Sequence, residues 1–246
     1  MNISPSSSED RPLLHAQKLA KSFNGTPALR DAELSVAAGE IVAVAGPSGS
    51  GKSTLLHCLA GILVPDDGFV RYGDREVSRL PDVARSKLRR NEFGFVFQFG
   101  GLVAELSIEE NIALPLLLAH GGRRRAALHE ANVWLERFAL DGLARRRPGE
   151  LSGGEAQRVA VARAMAHRPR VVFADEPTGA LDSAAGDIVL TALTEAARTQ
   201  GTSVVLITHD ARVAARADRT VRVEDGRTRE DDADMPGSAD HRTVRK

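Results

Sequence analysis

The fold of this 246-residue chain is decided by one stretch, Gly46-Pro47-Ser48-Gly49-Ser50-Gly51-Lys52-Ser53-Thr54. It contains the pattern G-x-x-x-x-G-K-[ST], whose backbone N–H groups wrap closely around phosphate groups. A Cβ at Gly49 or Gly51 is expected to block that approach. Lys52 is predicted to reach the β- and γ-phosphates, and Ser53 to offer its hydroxyl to Mg²⁺. The stretch therefore predicts binding of a nucleoside triphosphate.

The residues around this loop predict an α/β fold. Residues 41–45 form an apolar run typical of a buried strand, and residues 53–60 a helix whose N-terminus faces the phosphates. Further strands are predicted at 32–36, 93–97, 171–174, 203–208 and 220–223, alternating with helices. This alternation favours a largely parallel sheet covered by helices, with the loop at the carboxyl end of its strand.

The strand pattern disappears between residues 107 and 166. Ser107 and Glu110 predict a capping box that opens one helix, and residues 123–138 predict another. We therefore expect an all-helical subdomain, at about residues 99–166, inserted in an α/β domain that spans residues 12–226. The polar segments 1–11 and 227–246 are predicted to be disordered ends.

Composition restricts the class of partner. The 33 basic and 33 acidic residues cancel, so no overall charge favours nucleic acid or an anionic membrane. The single cysteine, Cys58, excludes an intrachain disulfide and is predicted to be a core residue. Apolar runs such as 112–119 are far shorter than a membrane span. We expect a soluble, cytoplasmic chain unless a partner holds it at a membrane.

Two adjacent carboxylates follow the predicted strand at 171–174. Asp175 is predicted to hold Mg²⁺ and Glu176 to polarise an attacking water, because phosphoryl transfer needs both functions. Alone, such a pair is usually a solvated turn. Together with a phosphate loop, it favours hydrolysis of the triphosphate.

The segment Leu151-Ser152-Gly153-Gly154-Glu155-Ala156-Gln157-Arg158 closely resembles the signature sequence of the ABC ATPase family. The resemblance covers about residues 12–226 and implies further functional positions. Gln98 matches the family's Q-loop, Asp182 its D-loop and His209 its switch histidine, while Phe23 matches the aromatic that stacks on adenine. Each has a plainer interpretation, as a surface amide, a helix cap or a core ring. The family fold also implies an N-terminal antiparallel β portion.

The resemblance implies ATP and Mg²⁺ as cofactors and a head-to-tail dimer, with a homodimer expected, that encloses two ATP molecules. The implied catalytic residues are Glu176, His209, Gln98 and Lys52. The implied ATP contacts are Phe23, Gly46, Pro47, Ser48, Gly49, Ser50, Gly51, Lys52, Ser53, Thr54 and Asp182, with Ser152, Gly153 and Gly154 on the partner's nucleotide. The implied Mg²⁺ ligands are Ser53, Gln98 and Asp175.

The wording of residues 93–98, 110–118 and 175–179 resembles the subgroup that serves lipoprotein release, macrolide or antimicrobial-peptide export and cell division. It implies an ATPase that powers a separate permease, in export or extrusion, from the inner face of the cell membrane. Residues 97–102, with Leu106 and Ile108, are then candidates for permease contact, and equally candidates for the core.

The chain departs from the family pattern at three positions, but we still expect it to hydrolyse ATP. Glu155 replaces the usual Gln, Ala180 precedes the D-loop, and Ala174 precedes Asp175.

The alternative to a transporter subunit is a soluble ABC ATPase that acts on DNA or ribosomes. It is disfavoured because only about 99 residues separate Lys52 from the signature, too few for a long coiled coil. A non-catalytic scaffold is disfavoured by the intact Glu176 and His209.

Overall fold

The computed structural model describes residues 11–120 and 123–230, which form two β-sheets and their covering helices. The strands are β1 (Leu14–Phe23), β2 (Thr26–Val36), β3 (Ile41–Ala45), β4 (Asp67–Tyr72), β5 (Arg75–Glu76), β6 (Phe93–Val96), β7 (Val171–Asp175), β8 (Ser203–Thr208), β9 (Arg219–Glu224) and β10 (Arg227–Glu230). The helices are α1 (Lys52–Leu59), α2 (Asp82–Glu92), α3 (Ile108–His120), α4 (Arg124–Arg137), α5 (Gly153–Ala166), α6 (Ser183–Gln200) and α7 (Ala211–Ala214).

The larger sheet has the strand order β10-β9-β3-β8-β7-β6. Its neighbours are parallel, except that β10 runs antiparallel to β9. The smaller sheet, β2-β1-β4-β5, is antiparallel and comes mainly from the N-terminal part of the chain. The predicted fold class, a mixed and largely parallel sheet with an N-terminal antiparallel portion, is confirmed.

Successive residues of the parallel strands enter two different cores. Ile41 and Val204 pack with α3 to α6, whereas Val42 and Val205 pack with α1 and the antiparallel sheet. Because side chains alternate across a strand, a sheet covered on both faces needs apolar residues at every position. This explains why these strands are unbroken apolar runs in the sequence.

Helices alone connect β6 to β7 over the described residues. The capping box at the start of α3 is present, since Glu110 N–H donates to Ser107 Oγ at 3.2 Å and Ser107 N–H to Glu110 Oε2 at 3.0 Å. Helices α3 to α5 share one continuous core with α6 and the sheet, so their status as a separate subdomain remains a prediction. Throughout the part of the chain that the structure describes, helices lack the combination of length and apolarity that crossing a membrane requires.

The predicted disordered tail starts too early. Residues 227–230 form β10, in which Thr228 pairs with Val223 and its hydroxyl accepts a hydrogen bond from Glu33 N–H at 2.7 Å. The pairing partners, not the polar sequence, make this segment a strand. The rest of the predicted tail and residues 1–10 lie outside the described residues. β2 begins at Thr26, six residues before its predicted start, and the other predicted strands are met within one residue at each end. β1, β4 and β5 had no individual prediction.

Candidate active site

The carboxyl ends of four neighbouring parallel strands meet at one edge of the larger sheet. β3, β8, β7 and β6 lie side by side in that order. The phosphate loop begins after β3 at Gly46, His209 follows β8, Asp175 ends β7 before Glu176, and Gln98 lies two residues beyond β6. Residues predicted from four separate motifs are therefore brought to a single edge.

Glycines in the phosphate loop are required for two different reasons. Gly49 and Gly51 have φ of 79° and 106°, which disfavours any residue with a side chain. A Cβ at Gly51 would lie only 2.3 Å from Ala28 O, and one at Gly46 only 2.2 Å from Val223 O, whereas one at Gly49 would meet no atom within 4 Å. The expectation that a Cβ at Gly51 acts by blocking the phosphate is therefore incomplete, because it would first strike the chain's own backbone.

The start of α1 presents hydrogen-bond donors. Lys52 Nζ donates to Gly46 O at 2.9 Å and to Pro47 O at 2.7 Å, which folds the ammonium over the loop. Ser50 Oγ is buried and has no hydrogen-bond partner among the described atoms. The N-cap of α1 is Gly51, and no described side chain caps its first N–H groups. An ammonium, a hydroxyl and a helix N-terminus together fit the oxygen atoms of a phosphate.

Glu176 is held in a strained backbone conformation. Its φ is 46°, in the left-handed region that costs a residue with a side chain roughly 1–3 kcal/mol. Its N–H donates to Ile207 O at 3.0 Å, so the neighbouring strand fixes the turn. The carboxylate Oε1 lies 3.0 Å from His209 Nδ1. The chain therefore places Glu176 and His209 in direct contact.

Gln98 lies near the same carboxylate. A Cβ on Gly179 would lie 3.0 Å from Gln98 Nε2 and 3.1 Å from Glu176 Oε2. The Q-loop amide and the predicted catalytic carboxylate thus converge above one glycine. Both side chains are half-buried, whereas His209 is exposed.

Ser53 and Asp175 supply oxygen donors of the kind Mg²⁺ prefers. Ser53 lies in the exposed first turn of α1, and Asp175 is the half-buried last residue of β7. Mg²⁺ is typically held by one or two protein oxygens together with phosphates and waters. The donor set fits this ion, and the assignments of Ser53, Asp175 and Gln98 as ligands remain predictions.

Two further predicted nucleotide contacts are Phe23 and Asp182. Phe23 ends β1 with its ring 45% exposed and Lys21 Nζ 5.9 Å from the ring centre. It is therefore not a core residue, and its stacking on adenine remains a prediction. Asp182 caps α6, because its Oδ1 accepts from Ala185 N–H at 2.9 Å. Its contact with nucleotide also remains a prediction.

The signature segment forms the exposed N-terminus of α5. Ser152 is the N-cap: its Oγ accepts from Glu155 N–H at 3.3 Å and donates to Glu155 Oε2 at 2.8 Å. Ser152 N–H also donates to Oε2 at 2.8 Å, and these bonds lower the pKa of Glu155. Cβ atoms on Gly153 and Gly154 would lie 3.3 Å from Leu181 and 3.4 Å from Ala185. The glycines let this helix end pack closely on the start of α6.

An apolar groove of about 470 Å³ opens between α2, β6 and α3. Its lining includes Phe95 and Phe97, and Phe99, two residues further along the chain, is 82% exposed. Ile108, predicted as either a permease contact or a core residue, is fully buried and belongs to the core. Leu102 is partly buried against that core.

The sequence predictions missed the side chains that hold the loop after Gln98. Asn111 is fully buried: its Oδ1 accepts from Val103 N–H at 2.8 Å, and its Nδ2 donates to Val103 O at 3.0 Å and Ser107 O at 3.0 Å. Gln157 and Arg163 of α5 donate to the same loop. Their partners are distant backbone carbonyls, which no local sequence pattern reveals.

Comparison with known proteins identifies similar sequences. A family model described as ABC transporter matches residues 29–179. The chain is 45% identical over 227 residues to the lipoprotein-releasing system ATP-binding protein LolD of Bordetella pertussis, covering 89% of this chain and 96% of that protein. It is 46% identical over 224 residues to the macrolide export ATP-binding/permease protein MacB of Rhodospirillum rubrum. That match covers 89% of this chain but 34% of MacB, so the chain spans about a third of that relative.

Solved structures give the same result. The chain is similar to a dimeric ATP-binding cassette in a post-hydrolysis state bound to ADP and Pi, with a TM-score of 0.81 and 34% identity over 88% of this chain and 98% of that one. It is also similar to cbiO1 of Clostridium perfringens, part of an ABC transporter complex, with a TM-score of 0.79 and 26% identity over 89% and 87% of the two chains.

Proposed function

The chain belongs to the ABC transporter family of ATPases, and we propose that it is the ATP-hydrolysing subunit of a membrane transporter or mechanotransmission complex. A separate permease is expected to use the ATP cycle for export or extrusion. The relatives named for lipoprotein release and macrolide export support this proposal over a soluble ATPase that acts on DNA or ribosomes.

The proposal rests chiefly on the contact between Glu176 and His209 at the sheet edge that also carries the phosphate loop. We expect Glu176 to orient the attacking water and to accept its proton as the new bond to the γ-phosphorus forms. The bond from that phosphorus to the bridging oxygen then breaks, and ADP and phosphate leave. Lys52 and His209 are expected to hydrogen-bond the γ-phosphate oxygens. Ser53 and Asp175 would hold Mg²⁺, which would supply positive charge against the negative charge that develops on the phosphates.

The exposed N-terminus of α5 supports the expected dimerisation. Ser152, Gly153 and Gly154 can donate hydrogen bonds to an anion, as helix N-termini do. We propose that they bind the γ-phosphate held by the partner protomer, so that ATP joins two chains head to tail. ADP lacks that phosphate and leaves the bridge incomplete, which would release the dimer after hydrolysis.

We propose that the apolar groove receives a cytoplasmic helix of the permease. The groove is lined by apolar residues, by Arg89, Arg90 and Arg163, and by Ser86 and His167, and its lining contains no acidic residue. In the described part of the chain, no carboxylate forms an ion pair with these three arginines. This chemistry fits an amphipathic helix that carries an apolar ridge and acidic flanks. The chain would then lie on the cytoplasmic face of the membrane.

Purification of the Glu176→Gln variant from detergent-solubilised native membranes, with ATP and Mg²⁺, tests this function. We expect a stoichiometric membrane protein to co-purify. Leu118→Asp, which places a charge in the exposed wall of the groove, should remove it. The control is Val133→Asp, at an exposed apolar position of α4 outside the groove. A soluble protein or nucleic acid in place of the membrane protein would contradict the proposal.

A further inference from the structure

The loop that carries Gln98 is fastened to α5 by side chains. Gln157 Nε2 donates to Phe97 O at 2.8 Å, next to Gln98 in the chain. Arg163 donates to Gly100 O at 2.8 Å and to Gly101 O at 2.7 Å. Three of the five carbonyls in residues 97–101 are therefore bound by one helix.

The loop also lies directly on the surface of α5. Gly100 and Gly101 have φ of 70° and 56°, a consecutive left-handed pair that turns the chain back onto the helix. A Cβ at Gly100 would be 3.6 Å from Ala156 O and 3.6 Å from Gln157 Oε1. At this separation the loop and α5 are in van der Waals contact, so a movement of the loop toward the helix must also push the helix.

Helix α5 connects two places where nucleotide is expected. Its N-cap is Ser152, the signature residue, and Gln157 lies five residues further along. A helix of 14 residues is a rigid rod about 20 Å long. One helix therefore carries two sets of groups. Gln157 and Arg163 contact the Gln98 loop, which is expected to face the chain's own nucleotide, and the N-terminus carries the donors that would meet the partner's nucleotide.

We propose that Gln157 and Arg163 are positioning residues that couple the two nucleotides of the dimer, by turning a shift of the Gln98 loop into a shift of the signature at the end of α5. The inference rests on the proposed ATP-driven dimerisation. Nucleotide bound in one chain would thereby set how well that chain's Ser152 binds the nucleotide of its partner.

The hydrogen-bond pattern favours coupling over simple support of the fold. Phe97 O also accepts from Gly100 N–H at 2.9 Å, so loss of the Gln157 amide leaves no carbonyl unpaired. The Gln157 side chain is 3% exposed, which keeps water from replacing it. Burial lowers the pKa of the Arg163 guanidinium, whose hydrogen bonds go to Gly100 and Gly101.

The test compares Gln157→Met and Arg163→Lys in the Glu176→Gln background. Methionine keeps the length of Gln157 and removes its donor, and lysine keeps the charge of Arg163 and removes the two-pronged bond. The control is Gln200→Met, the same change at the far end of α6. Thermal melting checks the fold. ATP affinity is measured at a protein concentration where the parent is monomeric, and dimerisation with ATP and Mg²⁺ is measured by sedimentation.

We expect each α5 variant to weaken the dimer by roughly tenfold while the ATP affinity of the protomer and the melting temperature stay near those of the control. A merely structural role would lower all three together. Dimer affinity within about twofold of the control, or a parallel loss of protomer ATP affinity, overturns the inference. If Gln157→Met does not fold, Arg163→Lys decides alone. Absence of ATP-driven dimers in the parent would instead contradict the proposed function.

Discussion

The sheet edge and the N-terminus of α5 are both anion-binding ends of the same chain, but they are constructed differently. The sheet edge depends on distant backbone: Gly46 packs against Val223, and Glu176 is bonded to Ile207. The end of α5 is closed locally, by bonds between Ser152 and Glu155 within one helical turn. It is also exposed, whereas the edge is partly enclosed.

This difference in construction indicates that the two regions have different functions. The sheet edge brings together the groups expected to bind and cleave a triphosphate, and the fold tolerates strain at Glu176 to do so. The end of α5 offers donors on an open surface, where Ser152 Oγ and the Glu155 carboxylate accept from two of its N–H groups. The first is suited to act within one chain and the second between chains.

The largest expected effect is loss of turnover in Glu176→Gln. A glutamine keeps the shape of the side chain but cannot accept the proton of the attacking water, so kcat should fall by roughly a hundredfold or more. ATP-bound dimers should accumulate, because the end of α5 is unchanged. Phosphate release and gel filtration with ATP measure both effects. A variant that retains kcat within a factor of about ten would remove Glu176 from the chemistry.

Alanine substitutions at two glycines of the phosphate loop should lower the stability of the fold by different amounts. Gly51→Ala adds both left-handed strain and a 2.3 Å contact with Ala28 O, so we expect it to lower the free energy of unfolding by about 3 kcal/mol. Gly49→Ala adds the strain alone and should cost about 1 kcal/mol. Urea unfolding of the two variants measures the difference. Equal costs would show that Ala28 moves aside.

The sequence predicted the sheet edge better than its surroundings. Residues 41–45 and 203–208 were predicted to the residue, because a strand buried on both faces is an unbroken apolar run. β1 was not predicted, since its alternation is interrupted at Lys18, which has φ of 52° beside a shift in the pairing register. β10 is a strand only because β9 and Glu33 pair with it.

The same distinction applies to the candidate site. Lys52, Asp175, Glu176 and His209 stand in motifs with fixed local spacing, so they could be assigned without a structure. The partners of Gln157 and Arg163 are backbone carbonyls 60 to 63 residues away, which only the folded chain brings near. Contacts of that kind leave no spacing rule in the sequence.

Ser152→Ala should weaken the function of the α5 N-terminus, which is dimerisation, and leave ATP binding at the sheet edge unchanged. Loss of the cap should lower the stability of the protomer by about 1 kcal/mol. ATP affinity of the isolated protomer should not change, because Ser152 is expected to serve the partner's nucleotide. ATP-driven dimerisation should weaken by about a hundredfold, since a hydrogen bond to a charged phosphate, worth about 1.5 kcal/mol, is lost at each of two sites. If protomer affinity falls in step with dimerisation, Ser152 acts on its own nucleotide.

The smallest expected effect is at Glu155, and its two consequences have opposite signs. Hydrogen bonds from Ser152 N–H and the Ser152 hydroxyl lower the pKa of Glu155 in the folded chain. This stabilisation is therefore present above the unfolded pKa, about 4.3, and is lost as pH falls through the lower folded pKa. Glu155→Gln should slightly reduce stability near pH 7, and this deficit should vanish in acid.

The Glu155 carboxylate accepts a hydrogen bond from the Ser152 hydroxyl and places a negative charge beside the proposed phosphate contact. Its removal should therefore tighten the ATP-bound dimer, by about two- to fivefold at low salt and less at high salt, because the site is exposed and screened. Sedimentation of Glu176→Gln with and without Glu155→Gln, at two salt concentrations, measures this. A weaker dimer in the double variant would mean that the cap, not the charge, governs how α5 meets the partner.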